Sequence, residues 1–349
     1  MMPVNNKHTP KPASDQDASD AIALPASVAG SGALDRLVAT ARDYASAATA
    51  DNTLKAYAKD WAHFTRWCRM RGAAPLPSSP ELVGLYIADL AATLSTASIA
   101  RRLSGLGWGY AQRGQPLDRK DRHIATVLAG IRRKHARPPA QKEAILADDI
   151  RAMVATLPHD LRGLRDRAIL LIGFAGGLRR SEIVSLDVHK DDTLDSGGWV
   201  DLLDGGALIT LRGKTGWRAV EIGRGSSDQT CPVHALAQWL HFARIDFGPV
   251  FTGVTRDGKR ALDRRLNDKH IARLIKSCVL NAGLRPDLPD AERVRLYSGH
   301  SLRAGLASSA EVDERHVQKQ LGHASAEMTR RYQRRRDRFR VNLTKAAGL

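Results

Sequence analysis

Three separated segments of the 349-residue chain carry side chains suited to chemistry on an anion: Gly177 to Glu182, His300 to Arg303, and Leu321 to His323 with Tyr332 nine positions further on. Taken singly, none is informative. A glycine before an arginine, or a histidine three before an arginine on a helix, is most often structural, and a lone tyrosine among basic residues is most often a packing residue. Taken together, they offer two guanidiniums, two imidazoles and a phenol. A phosphodiester gains negative charge on its non-bridging oxygens as a pentavalent transition state forms, so planar cationic forks such as Arg179 and Arg303 are the natural clamp. Glu182 stands one helical turn from Arg179 and could hold that guanidinium in place, although an ordinary surface ion pair would read the same.

In this order and spacing the segments resemble the motifs of the tyrosine recombinase family, also called phage integrases. Gly177 to Glu182 is similar to the family's Gly-Leu-Arg-x-Ser-Glu box, which implies that Arg179 is the first catalytic arginine and Glu182 its supporting acid. His300 to Arg303 is similar to His-x-Leu-Arg, implying catalytic roles for His300 and Arg303. Leu321 to His323 is similar to Leu-Gly-His, which adds His323 and lets the nucleophile position fall on Tyr332. The wording of Ser298 to Gly305 is similar to Cre-type members, whereas His323 follows the Xer and lambda integrase pattern. The resemblance runs from about Asn52 to Tyr332, with Asn52 to Tyr57 and Trp67-Cys68 a looser match to the family's core-binding domain.

The family's catalytic lysine sits in a turn between two strands. Leu211 to Arg218 supplies such a hairpin here, and Lys214 is the match, with Lys190 and Arg212 as alternatives. The phenol of a tyrosine ordinarily titrates near ~10, so attack by Tyr332 needs proton removal and a nearby positive field. His300 is the expected base, and His323 the expected hydrogen-bond donor to the phosphate. An expelled 5′ alkoxide is a poor leaving group, and Lys214, its pKa lowered among other cations, is the expected general acid. No metal is expected: no HxxxH, carboxylate cluster or cysteine set calls for one, and the cationic side chains take its place. No other cofactor and no ATP are expected, because the broken bond's energy is kept in the phosphotyrosine ester.

The resemblance implies a site-specific recombinase working through a 3′-phosphotyrosine and a Holliday junction, for integration, excision or resolution. It also implies a two-domain C-shaped clamp on double-stranded DNA and a homo-tetramer on synapsed sites. Two other readings use the same residues: a type IB topoisomerase-like or telomere-resolving enzyme, and a catalytically inactive DNA-binding regulator of the same fold. Every catalytic position is filled, which argues against the last.

The elements that must position these residues read as mainly α with a small antiparallel sheet. Residues 1–33, rich in Ala, Ser, Asp and Pro, read as a disordered tail too short for an additional DNA-binding domain. Residues 34–134 read as four or five short helices. In the best of them, Thr53 to Arg71, Leu54, Tyr57, Trp61, Phe64 and Cys68 share one face, with Lys55, Lys59, Asp60 and Arg66 elsewhere, Asn52 or Thr53 as cap and Gly72 as stop. Pro138-Pro139 places a linker at 135–146. Residues 147–349 form the expected catalytic domain: helices at Ala147 to Leu157 and Leu164 to Leu186, the second interrupted by Gly173, Gly176 and Gly177, strands at Trp199 to Leu203, Ala207 to Arg212 and Trp217 to Ile222, then helices over Pro232 to Ile245, Asp268 to Ala282, His300 to Ala310, Glu314 to Leu321 and Ala326 to Phe339. A terminal helix with Phe339, Val341 and Leu343 would dock on a neighbouring subunit or pack in cis.

Charge points to the same partner. With 54 Lys and Arg against 37 Asp and Glu, the formal net charge is +17, an attractive field for nucleic acid. The density of Arg101, Arg102, Lys120, Arg132 and Arg133, together with Arg180, suits phosphate contact, although solvated surface is the ordinary reading of scattered cations. No apolar run long enough to cross a membrane and no basic amphipathic anchor argues for a lipid partner. Cys68, Cys231 and Cys278 are far apart, form no CxxC pair and read as small buried apolar residues, which suits a reducing cytoplasm; the resemblance implies a cytoplasmic, nucleoid-associated protein encoded by a bacterium, phage or plasmid.

Overall fold

The computed structural model describes residues 34–137, 141–213, 216–310, 313–322, 325–327, 330 and 343–348. The chain divides into two compact units, Met1–Pro139 and Ala140–Leu349.

The first unit holds helices α1 (Asp35–Ala47), α2 (Asp51–Met70), α3 (Pro80–Leu90), α4 (Thr96–Ala111) and α5 (Arg122–Lys134). Ser79 caps α3 by accepting from the Leu82 N–H, with Pro80 at the first helical position; Ser95 and Asp121 cap α4 and α5 in the same way. The α2 stripe of Trp61, Phe64 and Cys68 packs with Val83, Tyr86 and Ile87 of α3, Ile99, Leu106 and Tyr110 of α4, and Ile124, Leu128 and Ile131 of α5 in a single core. Neither Asn52 nor Thr53 caps α2: the helix already begins at Asp51, after Ala50, with no side-chain cap. Gly72, at φ 68°, does follow its end.

Asp60 departs more from expectation, being buried at 3 % exposure rather than lying off the apolar stripe. The cause is the neighbouring helix. A Cβ at Gly105 would lie 2.7 Å from the Asp60 Oδ2 and one at Gly109 2.3 Å from the Trp61 ring, so α4 closes on α2 until the carboxylate is covered.

The second unit runs α6 (Ala147–Ala155), α7 (Leu161–Ala175), α8 (Arg180–Val184), β1 (Leu186–Asp187), β2 (Gly198–Leu203), β3 (Gly206–Gly213), β4 (Gly216–Gly223), α9 (Pro232–Ala243), β5 (Thr252–Val254), β6 (Ala261–Arg265), α10 (Asp268–Asn281), α11 (Asp290–Leu296), α12 (His300–Ser309), α13 (Glu314–Leu321) and α14 (Leu343–Ala346). Four strands form one sheet in the order β1-β2-β3-β4. The pairs β2-β3 and β3-β4 are antiparallel, while β1 joins β2 in parallel, an addition to the expected antiparallel sheet. β1, the β5-β6 hairpin and α11 are too short to display a hydrophobic period and went unanticipated. The expected helix from Leu164 to Leu186 is two helices, because Gly177 takes φ 56° and turns the chain between α7 and α8.

Helix α7 supplies Ile169, Leu170 and Ile172 to a core shared with Ile183 of α8, Val200, Ile209, Leu211 and Val220 of the sheet, Trp239 of α9 and Leu302 of α12. Upstream of α6, the Glu143 N–H donates to the Leu296 carbonyl and the Ile145 N–H to the Ser301 carbonyl, tying residues 141–146 to this unit. All three cysteines are buried. Most of the helix expected over Ala326 to Phe339 lies outside the described residues.

Candidate active site

Gly177 places the first box. A Cβ there would lie 2.4 Å from Leu321 Cδ2 and 3.0 Å from Leu306 Cδ2, so the turn after α7 passes directly against α12 and α13. Arg179 follows in extended conformation as the residue before α8. Its N–H donates to the Glu182 Oε2 at 2.8 Å, the back-bonding half of a capping box, and its Nη1 donates to Oε1 at 2.6 Å. One carboxylate thus fixes both ends of the residue. The Glu182 side chain is 6 % exposed and that of Arg179 31 %, which buries the acid and leaves the guanidinium facing outward.

Glu182 has a second partner that the sequence reading passed over. Arg218 Nη2 donates to Glu182 Oε2 at 3.0 Å, and Arg218 Nη1 donates to the Gln320 carbonyl in the last turn of α13. The signal was available in the strand's alternation. Arg218 is two residues before Val220 and four before Ile222, both buried, so it sits on the core face of β4, where a charge requires an opposite partner. Burial alone would raise the Glu182 carboxyl pKa. The Arg179 N–H, the Arg218 charge and the Arg179 guanidinium outweigh that penalty and hold it below the usual range. Burial, and then the charge of Arg179, lowers Arg218 against the opposing pull of Glu182.

Arg303 projects from the first turn of α12 and is 1 % exposed. Its Nη1 donates to the Gly177 carbonyl at 2.6 Å and its Nη2 to the Leu321 carbonyl. A single guanidinium therefore bridges the first box to the start of the third. His300 opens the same helix with solvent access. Its pKa is lowered by burial in the surrounding protein, then by the charges of Arg303 and Arg179, which places the imidazole in the field of both arginines. Just before it, a Cβ at Gly299 would lie 2.0 Å from Arg180 Cγ, so the Arg180 side chain lies across the start of α12; its Nη2 is 3.5 Å from Asp268 Oδ2.

Fold and charge bring Arg179, Glu182, His300, Arg303 and the Leu321-Gly322 corner together. Lys214, His323 and Tyr332 lie outside the described residues. The hairpin expected to carry Lys214 is closed by the pairing of Gly213 with Gly216. Of the alternatives to that lysine, Lys190 Nζ stands 5.9 Å from the centroid of the Trp199 ring, and Arg212 is exposed on β3 opposite Trp217. Among the described residues no group of three or more His, Cys, Asp or Glu could hold a metal ion, and no helix is long and apolar enough to cross a membrane.

The other basic candidates belong to the first unit. Arg101 grips Asp60 with both terminal nitrogens, Nη2 to Oδ1 at 2.8 Å. Arg102 Nη1 donates to the Tyr86 hydroxyl at 3.1 Å, and its Nε lies 3.8 Å from Asp60 Oδ1. Lys120, Arg132 and Arg133 are exposed, and Lys120 and Arg132 line a surface hollow with Ser104, Asp118 and Arg119.

Known proteins give the arrangement a family. The model of the phage integrase family matches residues 143–338. An integrase/recombinase XerD homolog of Selenomonas ruminantium is 32 % identical over 322 residues, covering 88 % of this chain and 89 % of that protein. Tyrosine recombinase XerC of Ralstonia pickettii strain 12J is 30 % identical over 255 residues, 68 % of this chain and 69 % of that one. Among solved structures, a lambda integrase dimer bound to a COC′ core site superposes with a TM-score of 0.54 at 17 % identity, covering 86 % of this chain and 95 % of the other. XerH recombinase bound to its difH substrate gives 0.51 at 18 % identity, covering 85 % and 78 %. These two structures establish likeness of fold. The family model and the relatives, matched over most of their length, establish more: this chain belongs to the phage integrase family and is a tyrosine recombinase, an enzyme of site-specific recombination that acts on DNA.

Proposed function

We propose that Tyr332 attacks the scissile phosphate of a specific DNA site, forming a 3′-phosphotyrosine as the bond from phosphorus to the 5′ oxygen breaks. Arg179 and Arg303 clamp the non-bridging oxygens, His323 hydrogen-bonds to the same phosphate, His300 takes the phenolic proton, and Lys214 gives a proton to the leaving 5′ oxygen. Attack by a 5′-hydroxyl on the ester reverses the step and reseals a strand, and exchange between two sites passes through a Holliday junction. The observation that carries this reading is the gathering of Arg179 with His300 and Arg303 from two separate segments of chain, joined where Arg303 donates to the Gly177 carbonyl, so that both guanidiniums act on one imidazole. A guanidinium has five N–H donors in a fixed plane; two from Arg303 already rest on carbonyls, which sets the orientation of the rest of the group.

The first unit serves as the core-binding domain. Arg101, Arg102, Lys120, Arg132 and Arg133 there, with Arg180 in the second unit, meet backbone phosphates. The linker between the core-binding domain and the catalytic domain lies ahead of residue 141, since 141–146 are tied to the second unit. Four protomers assemble on two synapsed sites, with the terminal helix as the subunit contact. Proteins of this fold have been caught on DNA, XerH on difH and a lambda integrase dimer on its core site, which supports DNA binding and the association of protomers on it.

The test begins with selection of the bound sequence from a randomised duplex pool. A nicked duplex carrying that sequence should then leave a covalent protein–DNA adduct on a denaturing gel. Tyr332→Phe should bind the same duplex and give no adduct; cleavage by that variant would remove Tyr332 as the nucleophile.

A further inference from the structure

Arg218 is a buried cation that no step above uses. Its side chain is 11 % exposed, and it makes a second link between the first box and the end of α13, beside the one made by Arg303. On one side it shares the Glu182 carboxylate with Arg179; on the other it donates to the Gln320 carbonyl, one residue before the Leu321 carbonyl that receives Arg303. Two guanidiniums therefore terminate α13 on consecutive carbonyls, at the negative end of its dipole. The chain then turns through Gly322, at φ 58°, where a Cβ would lie 2.7 Å from Arg218 Cδ. The glycine is required twice, by backbone conformation and by the arginine stacked on it. His323 is the next residue.

Stability alone does not account for the arrangement. The Arg218 Nε is buried with no hydrogen-bond acceptor among the described residues, which costs about 1–3 kcal/mol. Apolar residues in place of both Arg218 and Glu182 would avoid that cost.

We propose that Arg218 is a positioning residue for strand cleavage, holding the Arg179–Glu182 pair and the end of α13 that leads into His323 in one fixed relation. The proposal rests on the reading of Arg179 as a phosphate clamp. In consequence the β3-β4 hairpin acts on the reaction through its buried face, separately from its turn.

The test uses the full chain, the selected site as a nicked duplex, and the same duplex with a methylphosphonate at the scissile position, where one charged oxygen is replaced by methyl. Arg218→Gln should bind DNA as the wild type does and cleave the phosphate substrate about 10- to 100-fold more slowly, the usual effect of losing an outer partner of a charged ligand. On the methylphosphonate, which needs no clamp for the missing charge, the loss should shrink several-fold. Arg218→Lys keeps a charge beside Glu182 without the two-sided fork and should lie between. Wild-type cleavage by both variants, or an equal loss on both substrates, overturns the assignment. If Arg218→Gln proves unstable, the Arg218→Lys ratio between the two substrates decides alone. Arg179→Ala run in parallel separates the two ideas: no relief there overturns the clamp reading, whereas relief there without relief for Arg218 overturns only the positioning role.

Discussion

Glu182→Gln isolates the charge at the centre of the site. The side chain keeps its shape but loses the charge that compensates two guanidiniums, and its new NH2 cannot accept from either. Arg179 is 31 % exposed, so solvent screens it and its share is small. Arg218 is 11 % exposed and Glu182 6 %, so that pair behaves as buried. Removing one partner of a buried pair costs about 3–5 kcal/mol, and the lower end applies because Arg218 keeps its bond to the Gln320 carbonyl. At roughly 2–4 °C per kcal/mol for a unit of this size, the melting temperature should fall by about 6–12 °C at pH 7. Acid supplies the control. The folded pKa of Glu182 is depressed below 4.5, so its stabilisation is fully present above that value and is lost as pH falls through the folded pKa. Calorimetry of the catalytic unit's transition should therefore show the gap between wild type and variant narrowing below pH 4.5 and wide above it. A gap under about 1 kcal/mol at pH 7, or one that stays constant into acid, would refute the view of Glu182 as a shared buried counter-ion.

Two further outcomes follow from the same site. Because burial, then Arg303 and Arg179, hold the His300 imidazole below its ordinary 6.5, the acid limb of single-turnover cleavage at subsaturating enzyme should have its midpoint below pH 6.5; a midpoint above that value would take the base role from His300. Lys214→Ala should cleave normal DNA slowly and recover on a duplex whose bridging 5′ oxygen is sulfur, a better leaving group, and failure to recover would leave the general acid to Lys190 or Arg212.

The motif boxes were legible because their chemistry constrains residue type: guanidiniums and imidazoles at fixed spacing have few structural explanations in combination. Long elements were legible for a different reason, since α2, α4, α9 and α10 each display enough turns for a period to show. What escaped depends on approach between distant segments. Asp60 looks polar and exposed in a helical projection, and only the missing side chains of Gly105 and Gly109 on another helix reveal that it is covered. At the break between α7 and α8 the interrupting glycines were visible, but the packing of Gly177 against Leu321 is a contact that no local window contains. Arg218 was the nearest miss, because the alternation of β4 already set it on the inner face.

The closeness of α2 and α4 has a practical side for anyone retargeting this enzyme to another sequence. Directed evolution would naturally randomise every arginine in the N-terminal unit, yet Arg101 is joined to a carboxylate that the helix pair has sealed from water. Most replacements there would leave that carboxylate only the more distant Arg102, 3.8 Å away, and a library spent on it would collect destabilised proteins instead of new specificities. Lys120, Arg132 and Arg133, on open surface, can be varied without stranding a buried partner.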